Sequence, residues 1–377
     1  MNYVISTIKE NKIDRYILQN DGNYYSISKL LFDILSEFNQ HNDYKITSKK
    51  IQEKNPHEIN VDERFIEDSI KEVNSILNNK KEDKLNYINN KFVIVKEDTS
   101  TWLYKKMSLI FNENTFVFTF IILSTLSIFF FYYNRIDLNK VYYNLNDNFS
   151  FINILTFYAI FFIIIFFHEI GHAASSFSFG VKPKEIGFGL YFIFPVLYTN
   201  TTNIWKLNRD QRIIVNLGGI YIQLFINIVF IILYVLQIGQ NFTLSLIILN
   251  TLSILTSFNP FFRYDGYWIY SDFFNIPNLR EKSGNLINNI FFHPVNTAKQ
   301  IKQKQIPSSL LIYSFLSVVF WGFVYYSILK YAFKEMAKIY RLFANGGIMS
   351  FNSLESIFML LIIFFGIYNL YKNIIKN

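Results

Sequence analysis

Six long apolar stretches set the strongest limit on how this chain can fold. A helix needs about 20 mostly apolar residues to cross roughly 30 Å of bilayer hydrocarbon, and each stretch reaches or approaches that length. Because 51% of all residues are hydrophobic, the chain is predicted to be an α-helical polytopic membrane protein with about six transmembrane helices. The predicted spans are Thr115–Tyr133, Phe151–Ser175, Ile213–Leu236, Phe242–Phe262, Ser308–Leu329 and Ile357–Tyr371.

Lys and Arg residues between these stretches indicate the orientation of the chain in the membrane. The loops around residues 180–212 and 263–307 are rich in both, whereas residues 134–150 contain only Arg135 and Lys140. Cytoplasmic loops carry an excess of Lys and Arg, so both termini and both basic loops are expected at the cytoplasmic face of a multi-pass cell-membrane protein. Four basic residues in the predicted outer segment, Lys330–Arg341, count against this orientation.

The net charge of +8 is unevenly distributed along the chain. Residues 1–100 contain 15 basic and 17 acidic side chains, so the basic excess lies in residues 101–377. A basic excess beside apolar spans suits anionic lipid headgroups of the bilayer. The expected partners therefore include lipid and exclude nucleic acid.

Residues 1–100 are charged and contain no long apolar run, which predicts a small soluble domain ahead of a membrane domain over residues 101–377. Short alternating stretches flank Asp21-Gly22, a dipeptide suited to a tight hairpin turn. Helical spacing of apolar residues predicts two helices. The pattern is compatible with a small α+β winged-helix-like cytosolic domain. Its predicted elements are strands Arg15–Asn20 and Asn23–Ser28, helices Ile27–Phe38 and Val61–Leu77, and a strand at Lys91–Lys96.

The sequence His168-Glu169-Ile170-Gly171-His172 carries the clearest chemical signal. His residues four positions apart lie on one helix face and can bind one metal ion together, with Glu169 beside them to deprotonate a water. The chain has no cysteine, so a zinc site must use His, Asp or Glu. Ionisable groups inside a membrane cost about 2.5–3.5 kcal/mol each, which a bound cation would offset. The alternative is a pair of interfacial histidines that end a span.

Asp265 is the candidate third ligand, because a catalytic zinc site uses three protein ligands and leaves one position for water. It follows the fourth predicted span, on the same predicted side of the membrane as His172. Pro260 and Gly266 are expected to break the helix there and let backbone line a cavity. The alternative is a charge at headgroup level that pairs with Arg263.

Two further segments bear on the predicted membrane core. Lys182–Ile204 contains two glycines, Pro195 and alternating aromatic residues, which favours a membrane-associated β-hairpin or re-entrant loop over a span. Such backbone is tolerated at membrane depth only where protein or water satisfies it. Gln223 and Asn227 in the third predicted span are expected to hydrogen-bond neighbouring helices.

These motifs resemble the site-2 protease family of intramembrane zinc metalloproteases. The residues that carry the resemblance are His168–His172 on one span and Asn259-Pro260 with Asp265-Gly266 on a later one, and it covers residues 150–285. The resemblance implies a single catalytic Zn²⁺ ion held by His168, His172 and Asp265. It also implies that Glu169 is the general base, and that Asn259 positions the substrate strand or the oxyanion.

A narrower resemblance concerns the bacterial branch of peptide zinc metalloproteases, which is often linked to ribosomally made, modified peptides. It is carried by residues 259–268, Pro277-Asn278-Leu279, Trp205 and Gln211-Arg212. The sequence departs from the family where Gly218-Gly219-Ile220 lacks a common Gly-Pro and where Asn203 replaces a common acidic residue.

Residues 1–100 resemble the winged-helix leader-binding domains of modified-peptide biosynthesis, which implies leader-peptide docking near Tyr16–Tyr25 by strand addition. The alternative is a cytosolic cap that has no peptide specificity.

The leading functional hypothesis is an intramembrane zinc metalloendopeptidase that acts near the cytoplasmic leaflet on a membrane-associated or ribosomally made precursor peptide. A co-encoded transporter or peptide-modifying enzymes are further candidate partners. Two alternatives stay open: a non-catalytic maturation, export or immunity partner with a structural metal site, and regulated intramembrane proteolysis of a membrane-bound transcription regulator.

Overall fold

The computed structural model describes residues 3–9, 14–20, 23–54, 61–78, 88–96, 101–135, 151–191 and 194–344. These residues are mostly helical and divide into two compact units. The first unit contains the described parts of residues 1–87, 92–187 and 197–254, and the second contains residues 88–91, the described parts of 188–196, and residues 255–344.

The amino-terminal part of the first unit combines an antiparallel sheet of strand order β1-β2-β3 with three helices. Tyr16 pairs with Ile27 and Asn20 with Asn23, which confirms the predicted strand pairing, whereas Asp21 and Gly22 lie outside the described residues. The elements are β1 (Val4–Ile8), β2 (Arg15–Asn20), β3 (Asn23–Ile27), α1 (Lys29–His41), α2 (Tyr44–Lys54) and α3 (Glu63–Asn78).

An apolar core holds these elements together. Helix α1 begins where the Ser28 hydroxyl accepts a hydrogen bond from the Leu31 N–H and ends at Asn42, which adopts a left-handed conformation. Both predicted helices of this region are confirmed with small shifts of their ends, whereas β1 and α2 were not predicted. The winged-helix arrangement stays a prediction. The buried core residues are Leu18, Ile34, Leu35, Phe38, Ile51, Val61, Ile66, Ile70 and Val73.

A second sheet has the strand order β4-β5-β6. The strands are β4 (Ile88–Lys96), β5 (Glu185–Tyr191) and β6 (Phe194–Asn200). Strand β4 confirms the predicted strand at Lys91–Lys96, and the paired β5 and β6 confirm a β-hairpin rather than a span within Lys182–Ile204. A 3₁₀ helix over Thr202–Lys206 follows β6.

The helices that follow the amino-terminal part of the chain are mostly long and apolar. They are α4 (Thr101–Ser108), α5 (Glu113–Asn134), α6 (Phe151–Ser178), α7 (Arg209–Val235) and α8 (Gln240–Ser257), and the second unit adds α9 (Asp265–Phe273), α10 (Leu279–Phe292), α11 (Pro294–Lys302) and α12 (Ser308–Ala344). Among the described residues, four helices are long and apolar enough to cross a membrane: α5, α6, α7 and α12. These helices correspond to four of the six predicted spans.

The other two predicted spans are not among these four helices. Helix α8 occupies most of Phe242–Phe262 but ends at Ser257, ahead of Asn259-Pro260, and buries the polar residues Thr243, Ser245 and Asn250. Polar side chains at these positions reduce its apolar character. The predicted span Ile357–Tyr371 lies outside the described residues.

The second unit has its own apolar core around Tyr267, Leu279 and Tyr313. Its helix α12 contains 37 residues, which at about 1.5 Å per residue gives roughly 55 Å. That length exceeds the hydrocarbon thickness of a bilayer. Helix α12 therefore continues past the predicted span and includes the basic segment Lys330–Arg341.

Candidate metal centre

The two motif histidines lie one helical turn apart on α6, and both are buried. His168 is 6% exposed, Glu169 8% and His172 7%. The Nε2 atoms of His168 and His172 lie 3.1 Å apart. A tetrahedral zinc ion holds two imidazole nitrogens about 3.3 Å apart, so the pair fits one ion.

The hydrogen bonds at the other ring nitrogens determine the tautomer of each histidine. His172 Nδ1 lies 2.8 Å from the carbonyl oxygen of Val215, which can only accept, so Nδ1 carries the proton. His168 Nδ1 lies 2.9 Å from Oε1 of Gln223, also an acceptor. With both rings neutral, each Nε2 atom therefore carries a lone pair, and the two Nε2 atoms lie 3.1 Å apart. Facing lone pairs repel unless a shared proton or a cation lies against both, which makes the pair suitable for a metal.

Helix α6 ends at Ser178, six residues after the motif. Gly180 has φ +77, and the Val181 N–H donates to the Ser176 carbonyl at 3.1 Å. This bond spans five residues, as in a Schellman motif, where a left-handed glycine closes the helix. The Ser176 hydroxyl also donates to the Val181 carbonyl at 2.7 Å. The metal motif thus lies in the last turns of an apolar helix.

Glycines allow α7 to pack directly against the motif. A Cβ atom at Gly171 would contact the Gly218 backbone, and one at Gly218 would lie 2.5 Å from Ser175 Oγ. A Cβ at Gly219 would lie 2.5 Å from the His168 ring. The close approach of α6 and α7 therefore requires Gly218 and Gly219. These two glycines are present although the Gly-Pro that is common in the family is not.

Glu169 has a hydrogen-bond partner that the sequence did not reveal. The Thr199 hydroxyl on β6 lies 2.7 Å from Glu169 Oε2 and 2.9 Å from the Glu169 carbonyl, and can donate to either. The contact holds the carboxylate while its Oε1 remains able to accept a proton. Thr199 is 30 residues from Glu169 in sequence, and its only sequence signal is its place in the predicted hairpin.

The segment between α8 and α9 contains the other candidate site residues. Asn259 Oδ1 accepts a hydrogen bond from the Phe261 N–H at 2.9 Å, so its Nδ2 amide is the group it can offer to a ligand. Asp265 is the first residue of α9. At Gly266 a Cβ would contact the Phe258 backbone. No helix is present between Ser257 and Asp265, which confirms the predicted break at Pro260, whereas Gly266 lies inside α9 and does not break a helix.

Tyr264, the residue before Asp265, makes an aromatic contact within the second unit. Tyr264 packs on Tyr191 with ring centroids 5.6 Å apart, and the Arg263 N–H donates to the Tyr191 hydroxyl at 3.4 Å. Burial raises the pKa of Tyr264 to about 12. Its hydroxyl consequently stays neutral at physiological pH. His168 and His172 belong to the first unit and Asp265 to the second, and each of the three side chains offers one atom of a type that can bind a metal ion.

A protein of Bacillus subtilis is similar to part of this chain. It is the protein of Bacillus subtilis (strain 168) named "Putative peptide zinc metalloprotease protein YydH", which is 30% identical over 125 residues. The aligned region covers 31% of this chain and 47% of that protein, so the chain spans about half the length of this relative. No solved structure matches the chain.

A family match covers more than half of the chain. The family described as Peptidase family M50 matches residues 156–371, a range that includes the histidine pair, Glu169, Asn259 and Asp265. Zinc is the cofactor that this family implies, and four candidate membrane-spanning helices agree with a membrane location. By this match, the chain belongs to Peptidase family M50, the site-2 protease family.

Proposed function

We propose that this chain is an intramembrane zinc metalloendopeptidase that hydrolyses a peptide bond of a membrane-associated or ribosomally made precursor peptide near the cytoplasmic leaflet. The observation that carries the proposal is the histidine pair with both Nε2 atoms facing one point. Membership of Peptidase family M50 supports the reaction type. The basic loops around 180–212 and 263–307 support the cytoplasmic orientation.

The proposed ligands are His168, His172 and Asp265, two imidazoles and one carboxylate. This donor set suits zinc and leaves a fourth coordination position for water or substrate. When bound, zinc lowers the pKa of water and polarises the substrate carbonyl. The Nδ1 bonds to Gln223 and Val215 keep the two imidazoles in the tautomer that can ligate.

Glu169 is the proposed general base. The Thr199 hydroxyl holds one carboxylate oxygen, which leaves the other to take a proton from the attacking water. Glu169 then returns this proton to the leaving amine, as a general acid. The Asn259 amide is proposed to donate a hydrogen bond to the carbonyl oxygen as it gains negative charge.

The amino-terminal domain is proposed to recruit the precursor through a leader peptide. Its sheet contacts the segment ahead of α7: Arg15 Nη2 donates to the carbonyl oxygens of Trp205 at 2.9 Å and Leu207 at 3.0 Å. The Tyr24 hydroxyl donates to Asn203 Oδ1 at 3.1 Å. Helix α7 carries Val215, the partner of His172, so a bound leader would be held by a domain directly connected to the metal-binding helices.

The proposal is tested by replacing Glu169→Gln and assaying cleavage of peptides encoded beside this gene. The variant should retain zinc, while its cleavage rate should fall by at least about 10²-fold because the proton acceptor is lost. Glu113→Gln is the matched control, since Glu113 is exposed at the start of α5. Purified wild type and both variants are compared for zinc content and for cleavage by mass spectrometry.

Undiminished cleavage by the Glu169→Gln variant would contradict the proposed role of Glu169 as general base. A wild-type protein without stoichiometric zinc would contradict the proposal that His168, His172 and Asp265 bind zinc. If zinc is bound and no co-encoded peptide is cleaved, the precursor-peptide substrate is wrong, and single-span membrane proteins become the substrates to assay.

A further inference from the structure

His168 and His172 are oriented by different kinds of group. His172 donates to a backbone carbonyl, that of Val215, which no substitution can remove. His168 donates to a side chain, Gln223. An amide side chain can rotate by 180° and offer a donor instead of an acceptor. Its effect on His168 therefore depends on what holds Gln223.

A buried amide network fixes the orientation of Gln223. Asn250 Nδ2 lies 2.9 Å from the backbone carbonyl of Gln223, which can only accept, so this end of Asn250 is its nitrogen. The oxygen of Asn250 then accepts from Gln223 Nε2 at 3.1 Å. Ser253 Oγ accepts a second hydrogen bond from the same nitrogen at 3.2 Å. Gln223 Oε1 is therefore the atom that faces His168.

The network continues away from the metal centre across three helices. Asn250 Nδ2 also donates to Asn227 Oδ1 at 3.2 Å. Asn227 Nδ2 in turn donates to Thr251 Oγ1 at 3.1 Å and to Ser127 Oγ at 3.4 Å. Gln223, Asn227 and Asn250 have no exposed surface. Rotating any one of these amides by 180° would place a buried donor against a donor or an acceptor against an acceptor. Lipid offers no replacement hydrogen-bond partners, so such a rotation is unfavourable.

We propose that Gln223, held by Asn250, is a positioning residue that sets the Nδ1–H tautomer and ring orientation of His168. The proposal rests on His168 being a zinc ligand, as proposed above. An acceptor at Gln223 keeps the proton of His168 on Nδ1 and so leaves the Nε2 lone pair available to the metal. The same polar residues that join α7 and α8 thereby determine the metal affinity of α6.

The test is the zinc affinity of the full-length protein, measured by competition with a chelator. Gln223→Leu removes the acceptor and should weaken zinc binding by about 10–100-fold. Asn250→Leu leaves Gln223 free to rotate and should weaken it less. Ser127→Ala, at the far end of the network, is the matched control and should bind zinc as the wild type does.

A second readout separates positioning from general loss of packing. The visible spectrum of the Co²⁺-substituted protein reports the ligand field and should change in Gln223→Leu. In Gln223→Glu the protonated carboxyl group keeps an oxygen facing His168 and can donate its O–H to Asn250 Oδ1, so this variant should recover most of the zinc affinity and the wild-type Co²⁺ spectrum. Gln223→Met, which fills similar volume without an acceptor, should not, and it replaces the Leu variant if that protein does not fold.

Each outcome bears on one proposal. A folded Gln223→Leu or Gln223→Met variant with wild-type zinc affinity and spectrum would overturn the positioning role of Gln223. Equal losses in the Leu, Met and Glu variants would also overturn it, because volume rather than an acceptor would then matter. If the wild type itself binds no zinc, the proposed function fails, and this result is distinguishable from the other two.

Discussion

The amino-terminal domain and the α6–α7 helix pair differ in how many polar side chains they bury and in where their apolar side chains lie. The domain buries Leu18, Leu35 and Ile66 in an apolar core. The helix pair buries apolar side chains such as Ile220 together with the polar side chains of His168, His172, Gln223 and Asn227. On its outward side Ile232 has 52% of its surface exposed. The first arrangement suits water as solvent and the second suits lipid.

The difference determines which contacts stabilise each region. In water, removing apolar surface from solvent is the main stabilising term. Between membrane helices that term vanishes, because lipid tails are as apolar as Leu, and close packing of small residues with buried hydrogen bonds takes its place. Gly171, Gly218 and Gly219 supply the close packing of α6 and α7. The Gln223 network supplies the hydrogen bonds.

The largest effect expected from this comparison is that of Leu35→Ala in the amino-terminal core. Leu35 is fully buried, so its truncation should cost about 2–5 kcal/mol and unfold or loosen this domain. Hydrogen exchange of residues 29–41 in the full-length protein measures the loss. Because the domain is proposed to recruit the leader, kcat/KM should fall for the full precursor and stay unchanged for a leaderless substrate.

The matched control is Ile232→Ala, which also truncates an aliphatic side chain but on the outward face of α7. It should change neither exchange nor cleavage, because the lost methyl groups faced lipid. Equal destabilisation by the two substitutions would show that burial of Leu35 does not stabilise the protein more than the exposed Ile232 does. Equal loss of cleavage for both substrates would remove the recruiting role of the domain.

The second effect concerns glycine packing at the metal centre. Gly219→Ala places a Cβ 2.5 Å from the His168 ring, so α6 and α7 must separate or the ring must rotate. Overpacking of this kind costs about 1–3 kcal/mol. Zinc affinity and the thermal midpoint of the detergent-solubilised protein should therefore both decrease.

Gly322→Ala provides the control on another membrane helix, because a Cβ at Gly322 meets no atom within 4 Å. This variant should match the wild type in zinc affinity and thermal midpoint. Were Gly219→Ala to bind zinc normally, the tight fit of α7 against His168 would not be needed for the site.

The parts of this molecule predictable from sequence are those with local signals. The His168–His172 spacing places both imidazoles on one helix face, Asn259-Pro260 ends α8 before Asp265, and alternating residues around Asp21-Gly22 predict the β2–β3 pairing. Each signal lies within a few residues of the structure it produces.

The parts that the sequence did not predict depend on distant contacts. Thr199 meets Glu169 only because β6 packs beside α6, and the Val215 carbonyl meets His172 only because two glycines bring α7 close. No periodicity indicates such pairs. Gln223 and Asn227 were recognised as polar residues of a span that bond neighbouring helices, yet the link from Gln223 to His168 required their three-dimensional placement.

The smallest expected effect concerns Glu37, a buried carboxylate on α1. Lys54 Nζ lies 2.6 Å from Glu37 Oε1 and Lys50 Nζ lies 3.4 Å from Oε2. The hydrogen bond from Lys54 is the main cause that lowers the pKa of Glu37 below its ordinary value of 4.5. A lowered folded-state pKa means that the pair stabilises the domain above pH 4.5 and that this stability is lost as pH falls through the folded-state value.

Because the Lys54 side chain is 54% exposed, solvent screening limits the contribution to about 1 kcal/mol or less. Hydrogen exchange of α1, corrected for the intrinsic pH dependence of exchange, should accelerate on acidification in the wild type and much less in Glu37→Gln. Glu67→Gln removes the exposed Glu67–Lys71 pair and should follow the wild type. If both variants behaved alike, burial of Glu37 would not strengthen its ion pair, and a carboxylate buried among residues 3–78 would matter no more than one on the surface.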